Sequence, residues 1–118
     1  MKTILVVDDE QASAEVLSLI LEDEGYRVYC AANGQAGLER ALELRPDLVI
    51  LDYMMPIMNG AEVGKALRAT PELASTKILM NSSLSEANVR ARFDKYDCFL
   101  RKPFDIDVAL AAISELIA

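Results

Sequence analysis

The sequence contains no histidine. That absence removes Ser-His-Asp and Cys-His nucleophile systems, the commonest zinc sites and any phosphohistidine formed on this chain itself. Cysteine is scarce: Cys30 and Cys98 follow no metal or redox spacing and read as small core residues of a reducing cytoplasm. No apolar run approaches the roughly 18 residues of a membrane span. The opening MKTILVVDDE carries a single lysine and a short apolar run that ends in acids, so a secretory leader is not expected there. Repeats, linkers and low-complexity segments are also missing.

What remains is a chain of 118 residues, 53 % hydrophobic and 26 % charged, enough for one domain with a real core. It is read as a single domain over residues 1–118. The net charge of −7 argues against nucleic acid as a direct partner. The charge is uneven. Residues 1–60 hold 11 acids and 4 bases, whereas residues 61–118 hold 8 of each. An acidic front half fits a cation site.

Apolar runs alternate with amphipathic stretches. Strands are expected at 3–8 (TILVVD), 26–31 (YRVYCA), 47–52 (DLVILD), 77–82 (KILMNS) and 98–102 (CFLRK). Helices are expected at 10–25, with Val16, Leu19 and Ile20 on one side and Gly25 as the stop, at 34–45 ended by Pro46, and at 59–69. A fourth is expected at 83–93, opening with Ser83 and Glu86 at capping-box spacing, and a fifth at 105–118. Five βα units with strands this apolar predict a parallel sheet covered on both faces.

In such a sheet ligands bind beyond the carboxyl ends of the strands, where strand order reverses. Asp8 and Asp9 end the first strand and Asp52 the third. If those strands are neighbours, three carboxylates share one crevice. A unit pair at 4 Å costs about 1 kcal/mol in water and roughly 4 at an effective dielectric of 20. A divalent cation such as Mg²⁺, which prefers oxygen ligands, resolves that repulsion. Ser82 and Lys102 also fall at strand ends, where a hydroxyl can donate to a phosphoryl oxygen and an ammonium can grip one.

These features together resemble the response-regulator receiver domain of two-component signalling. The matching motifs are Asp8-Asp9, PDLVILD ending in Asp52, DYMMPIMNG (52–60), Ser82 and LRKPF (100–104). The resemblance implies a flavodoxin-like (βα)5 three-layer sandwich with strand order 2-1-3-4-5. It implies that Asp52 is the phosphoacceptor, that Mg²⁺ is held by Asp9, Asp52 and the Met54 carbonyl, and that Asp8 positions the ion largely through water. Lys102 would contact the phosphoryl group, Ser82 would bond it in the active state, and Phe99 would be the switch aromatic. The implied partners are a histidine kinase or histidine phosphotransfer protein, and a downstream protein effector. The implied chemistry is not that of an enzyme beyond the domain's own phosphorylation and dephosphorylation. A cytoplasmic location follows, with neither membrane nor direct nucleic acid as partner.

The chain departs from the family pattern at three places. Lys95-Tyr96 stand where a Gly-Ala pair is common, which alters the loop before the fifth strand. Gly37 replaces a helix-favouring alanine at about 1 kcal/mol. Ser83 follows Ser82 where a small residue is usual. The last helix has two apolar stripes, Ile106, Leu110, Ile113 and Ile117 beside Ala109, Ala112 and Leu116. They fit either a broad core contact or a patch for self-association through the 84–118 face, with Arg90, Arg92 and Arg101 as a basic rim. Two other functions stay open: a receiver-fold binding module that acts without phosphorylation, and a carboxylate-nucleophile phosphohydrolase. The second is disfavoured by the lack of a cap segment and of an Asp-x-Asp pair.

Overall fold

A computed structural model describes all 118 residues. Strands β1 (Thr3–Val7), β2 (Arg27–Ala31), β3 (Leu48–Asp52), β4 (Lys77–Ser82) and β5 (Cys98–Arg101) form one parallel sheet in the order β2-β1-β3-β4-β5. The helices are α1 (Gln11–Asp23), α2 (Gly34–Leu44), α3 (Gly60–Ala69), α4 (Glu86–Arg90) and α5 (Ile106–Leu116). A short 3-10 turn at Pro71–Leu73 precedes β4. No helix is long and apolar enough to cross a membrane.

Strand side chains alternate between two cores. Ile4, Val6, Leu48, Ile50 and Leu79 face α1 and α5 and pack with Ala14, Leu21, Ile113 and Ile117. Leu5, Val7, Val49, Leu51, Ile78 and Met80 face the other side, with Ala41, Ala61, Val63, Leu67, Val89 and Phe93. Both faces are therefore covered, which is why the strands read as continuous apolar runs.

Helix starts follow their polar residues. Asn33 caps α2 by accepting from Ala36 N–H, and Asp105 caps α5 by accepting from the Asp107 and Val108 N–H groups. Asn59 and Glu62 form a reciprocal capping box on α3. Gly25 follows α1 at φ +96°, where a left-handed residue closes the helix.

Three expectations are corrected. Helix α1 buries Ala14 and Leu21 with Leu17 beside them, and leaves Val16 and Leu19 exposed, because the narrow Ala14 face is the one that fits onto the sheet. Helix α4 is only Glu86–Arg90, and Ser85, not Ser83, caps it by accepting from Asn88 N–H at 3.3 Å. Residues 83 and 84 are held instead in a turn, with Leu84 N–H donating to Ser82 Oγ at 3.0 Å. Gly37 is a packing requirement: a Cβ there would lie 2.8 Å from Val7 Cγ1, so alanine has no room against β1. On α5, Ala109 and Ile113 are buried, as is Ile117 just beyond it, and Val108 is the one large apolar residue left exposed. Most of that helix's apolar surface is thus a core contact.

Candidate functional site

Because β1 and β3 are adjacent, their carboxyl ends deliver Asp8, Asp9 and Asp52 to one place. A ligand oxygen from each lies within 4.8 Å of the other two. Asp52 closes β3 and is 4 % exposed, Asp8 is 7 % exposed, and Asp9 faces solvent. Asp8 is fixed by the backbone: its N–H donates to the Ala31 carbonyl at 3.1 Å, and its Oδ1 accepts from Glu10 N–H at 2.9 Å.

Lys102, the first residue after β5, reaches across β4 to this cluster. Its Nζ lies 3.2 Å from Asp52 Oδ1 and 3.9 Å from Asp8 Oδ2. The Lys102–Pro103 peptide is cis. Burial pushes the Asp52 carboxyl up to about 6 from 3.8; Lys102 opposes that rise, and Asp8 and then Asp9 add to it. One ammonium against three carboxylates leaves the cluster anionic at neutral pH.

The donor set fits a hard divalent cation. Mg²⁺ binds oxygens at about 2.0–2.1 Å in an octahedron, so opposite ligands sit roughly 4.2 Å apart. With one ligand oxygen from each within 4.8 Å of the others, the three carboxylates are close enough to share one such ion. Met54, two residues beyond Asp52, has a carbonyl that accepts no hydrogen bond from within the chain.

Ser82 is fully buried at the end of β4, with its hydroxyl engaged by Leu84 N–H and its carbonyl accepting from Lys102 N–H at 2.8 Å. Phe99 is half-buried in β5, its ring centroid 5.9 Å from that of Tyr96. Four adjacent strands end side by side here: β1 leads into Asp8 and Asp9, β3 ends in Asp52, β4 ends in Ser82, and β5 leads into Lys102, whose ammonium reaches the acids.

A family model for the response regulator receiver domain matches residues 4–114. The chain is a response-regulator receiver domain. It is 36 % identical over 119 residues to the DNA-binding dual master transcriptional regulator RpaA of Synechocystis sp., covering 99 % of this chain and 49 % of that protein. It is 38 % identical to the response regulator ArlR of Staphylococcus aureus, covering 99 % and 53 %. The receiver chain therefore spans about half the length of both regulators. Among solved structures, the chemotaxis protein CheY4 of Vibrio cholerae superposes with a TM-score of 0.92 at 31 % identity, covering 98 % of each chain. The response regulator TrrA of Thermotoga maritima, solved with Mg²⁺ and beryllofluoride, gives 0.89 at 34 % identity and covers 98 % and 99 %. The receiver fold is that of the two-component family.

Some features of this receiver were not visible in the sequence. An apolar groove of about 640 Å³ runs beside the site, between the exposed Val16 side of α1 and Pro103, Phe104 and Ile106. Asn81 lines its floor, and its buried Oδ1 has no hydrogen-bond partner. The Tyr96 hydroxyl donates to Glu86 Oε2 at 2.5 Å. The only advance signal for that bond was the departure at Lys95-Tyr96.

Proposed function

We propose that this receiver is a phosphorylation-activated switch of a two-component phosphorelay, with Asp52 as the phosphoacceptor. The observation that carries the reading is the buried Asp52 carboxylate held 3.2 Å from Lys102 inside a three-carboxylate cluster. With its pKa at about 6, Asp52 is ionised at neutral pH and more basic than an ordinary aspartate, which suits a nucleophile.

In this reading a histidine kinase or histidine phosphotransfer protein presents phosphohistidine. An Asp52 oxygen forms a bond to phosphorus, the donor's P–N bond breaks, and its electron pair leaves on the imidazole nitrogen. Phosphoryl transfer of this kind needs positioning and charge neutralisation more than covalent help. Asp9, Asp52 and the Met54 carbonyl would hold Mg²⁺, with Asp8 orienting it, and the ion would supply charge neutralisation. Lys102 turns from pairing the carboxylate to pairing the phosphoryl oxygens. The groove beside α1 offers the donor protein an apolar seat continuous with Asp8 and Lys102.

The new phosphoryl group adds about −1.5 to −2 charges and fresh acceptor oxygens. Ser82 and Lys102 contact those oxygens only after phosphorylation, and only such differential contacts shift a two-state equilibrium. Inward movement of Phe99 would carry the change to the 84–118 face, where an effector or a second copy binds. Arg90, Arg92, Arg101 and Val108 are exposed there.

The test is intact mass after incubation with a small-molecule phosphodonor, with and without Mg²⁺, for the natural chain and Asp52→Asn. One added phosphoryl group that requires both Mg²⁺ and Asp52 is expected. No gain and no Mg²⁺ binding in a folded protein would sink the mechanism and favour a receiver-fold module that binds partners without phosphorylation.

A further inference from the structure

Helix α4 has only five residues, too few to hold itself in place. Its position depends on clasps from its neighbours. Arg101 Nε donates to the Ser83 carbonyl at 3.2 Å, Val89 is buried in the core, and the Tyr96 hydroxyl donates to Glu86, the first residue of α4. The Tyr96 ring stands between two others, with centroids 6.4 Å from Phe93 and 5.9 Å from Phe99. Phe93 is itself pinned against α3, because Gly64 has no Cβ: one placed there would lie 2.6 Å from the ring. Tyr96 therefore touches the switch aromatic with one face of its surroundings and grips α4 with its hydroxyl. Burial, and the hydrogen bond and charge of Glu86, push the Tyr96 phenol up to about 12, so it stays a donor at every physiological pH.

The turn between β4 and α4 links this clasp to the phosphorylation site. Ser82 Oγ accepts from Leu84 N–H, and Glu86 follows two residues later. Drawing the Ser82 hydroxyl to a phosphoryl oxygen pulls on the 83–86 segment. Turning Phe99 inward removes the ring against which Tyr96 leans. Both movements load the same hydrogen bond.

We propose that Tyr96 and Glu86 form a latch that keeps the Ser82–Glu86 segment in its resting position, so that both are positioning residues for the phosphoryl switch. This rests on the phosphorylation reading of Asp52. A bond made in the resting state and broken in the active one biases the equilibrium toward rest. Removing it raises the apparent affinity of any ligand that selects the active state.

The probe is beryllofluoride with Mg²⁺, and binding is read from the bound-fluoride signal in 19F NMR. Tyr96→Phe keeps the ring and deletes the donor, and Glu86→Met keeps the side-chain length and deletes the acceptor oxygens. Each variant is expected to bind beryllofluoride roughly five- to tenfold more tightly than the natural chain. The double variant should gain no more than either single one, since both break one bond. The chain has no tryptophan, so tyrosine emission is directly readable. The part lost in Tyr96→Phe should brighten when beryllofluoride binds, as the phenol leaves a quenching carboxylate. Affinities within twofold of the natural chain in both variants, with bound fluoride present, would overturn the latch and leave the phosphorylation reading standing. No bound fluoride in any protein, the natural chain included, would overturn both.

Discussion

Lys102 Nζ and Asp52 Oδ1 stand 3.2 Å apart, and Lys102 is the only cation paired with that carboxylate. The pairing does not compensate the burial of Asp52, whose pKa remains raised to about 6. The resting site is therefore electrostatically strained in a way that can be measured.

The strain has a defined pH dependence. The folded state holds the Asp52 proton more tightly than the unfolded chain does, where the pKa is 3.8. Below about pH 4 both states are protonated and the group costs nothing. Stability is lost as pH rises from about 4 to about 6, and the full penalty persists above that. Two pKa units correspond to roughly 3 kcal/mol at most. Asp52→Asn should thus be more stable than the natural chain by about 2 kcal/mol at pH 7.5 in chelator, and no more stable near pH 4. Urea midpoints at the two pH values decide it, and an equal gain at both would be wrong for a titrating group.

Mg²⁺ should reverse that strain. A ligand of the folded state at a hundred times its dissociation constant adds about 2.7 kcal/mol. The urea midpoint of the natural chain should rise with added Mg²⁺ at pH 7.5, and rise less at pH 5, where a proton on Asp52 competes. Asp9→Asn should blunt the rise at both. Calcium-free buffers with and without chelator supply the comparison.

Ile57 occupies a left-handed conformation at φ +69° while fully exposed, and Met58 N–H donates across it to the Pro56 carbonyl at 2.7 Å. A β-branched residue there costs about 1–2 kcal/mol and buries nothing in return. Ile57→Asn should stabilise the domain by about 1 kcal/mol. Ile57→Val, which keeps the branch, should not. Denaturation midpoints of the two variants are the check.

Arg68 ties the far end of the sheet. Its guanidinium donates to the Lys95 carbonyl at 2.9 Å, the Thr76 carbonyl at 2.6 Å and Asp97 Oδ2 at 2.8 Å. Asp97 Oδ2 in turn accepts from Ile78 N–H at 2.8 Å. Arg68→Ala strands several acceptors and should cost about 2–3 kcal/mol. Arg68→Lys should recover only part, since an ammonium lacks the fork. Neither should alter Asp52-dependent mass gain, because the clasp lies at the opposite ends of β4 and β5 from the site.

The sequence by itself determined the sheet and the ingredients of the site. Runs such as ILVV and LVIL can be satisfied only between two helical layers, and Asp8, Asp9, Asp52, Ser82 and Lys102 terminate such runs, so the strand ends had to gather them. Strand alternation is a local property, and it was legible. The contact face of α1, the length of α4 and the need for Gly37 were decided by tertiary structure. Each depends on which neighbour lies against the helix: the flat Ala14 face docks where Val16 would stand off, the Ser82–Leu84 turn competes with the first turn of a longer α4, and Val7 fills the space an alanine Cβ would need. Arg68 with Asp97 and Tyr96 with Glu86 are joined from residues 29 and 10 positions apart. No periodicity marks such pairs, because they become partners only when the packed sheet brings their loops together.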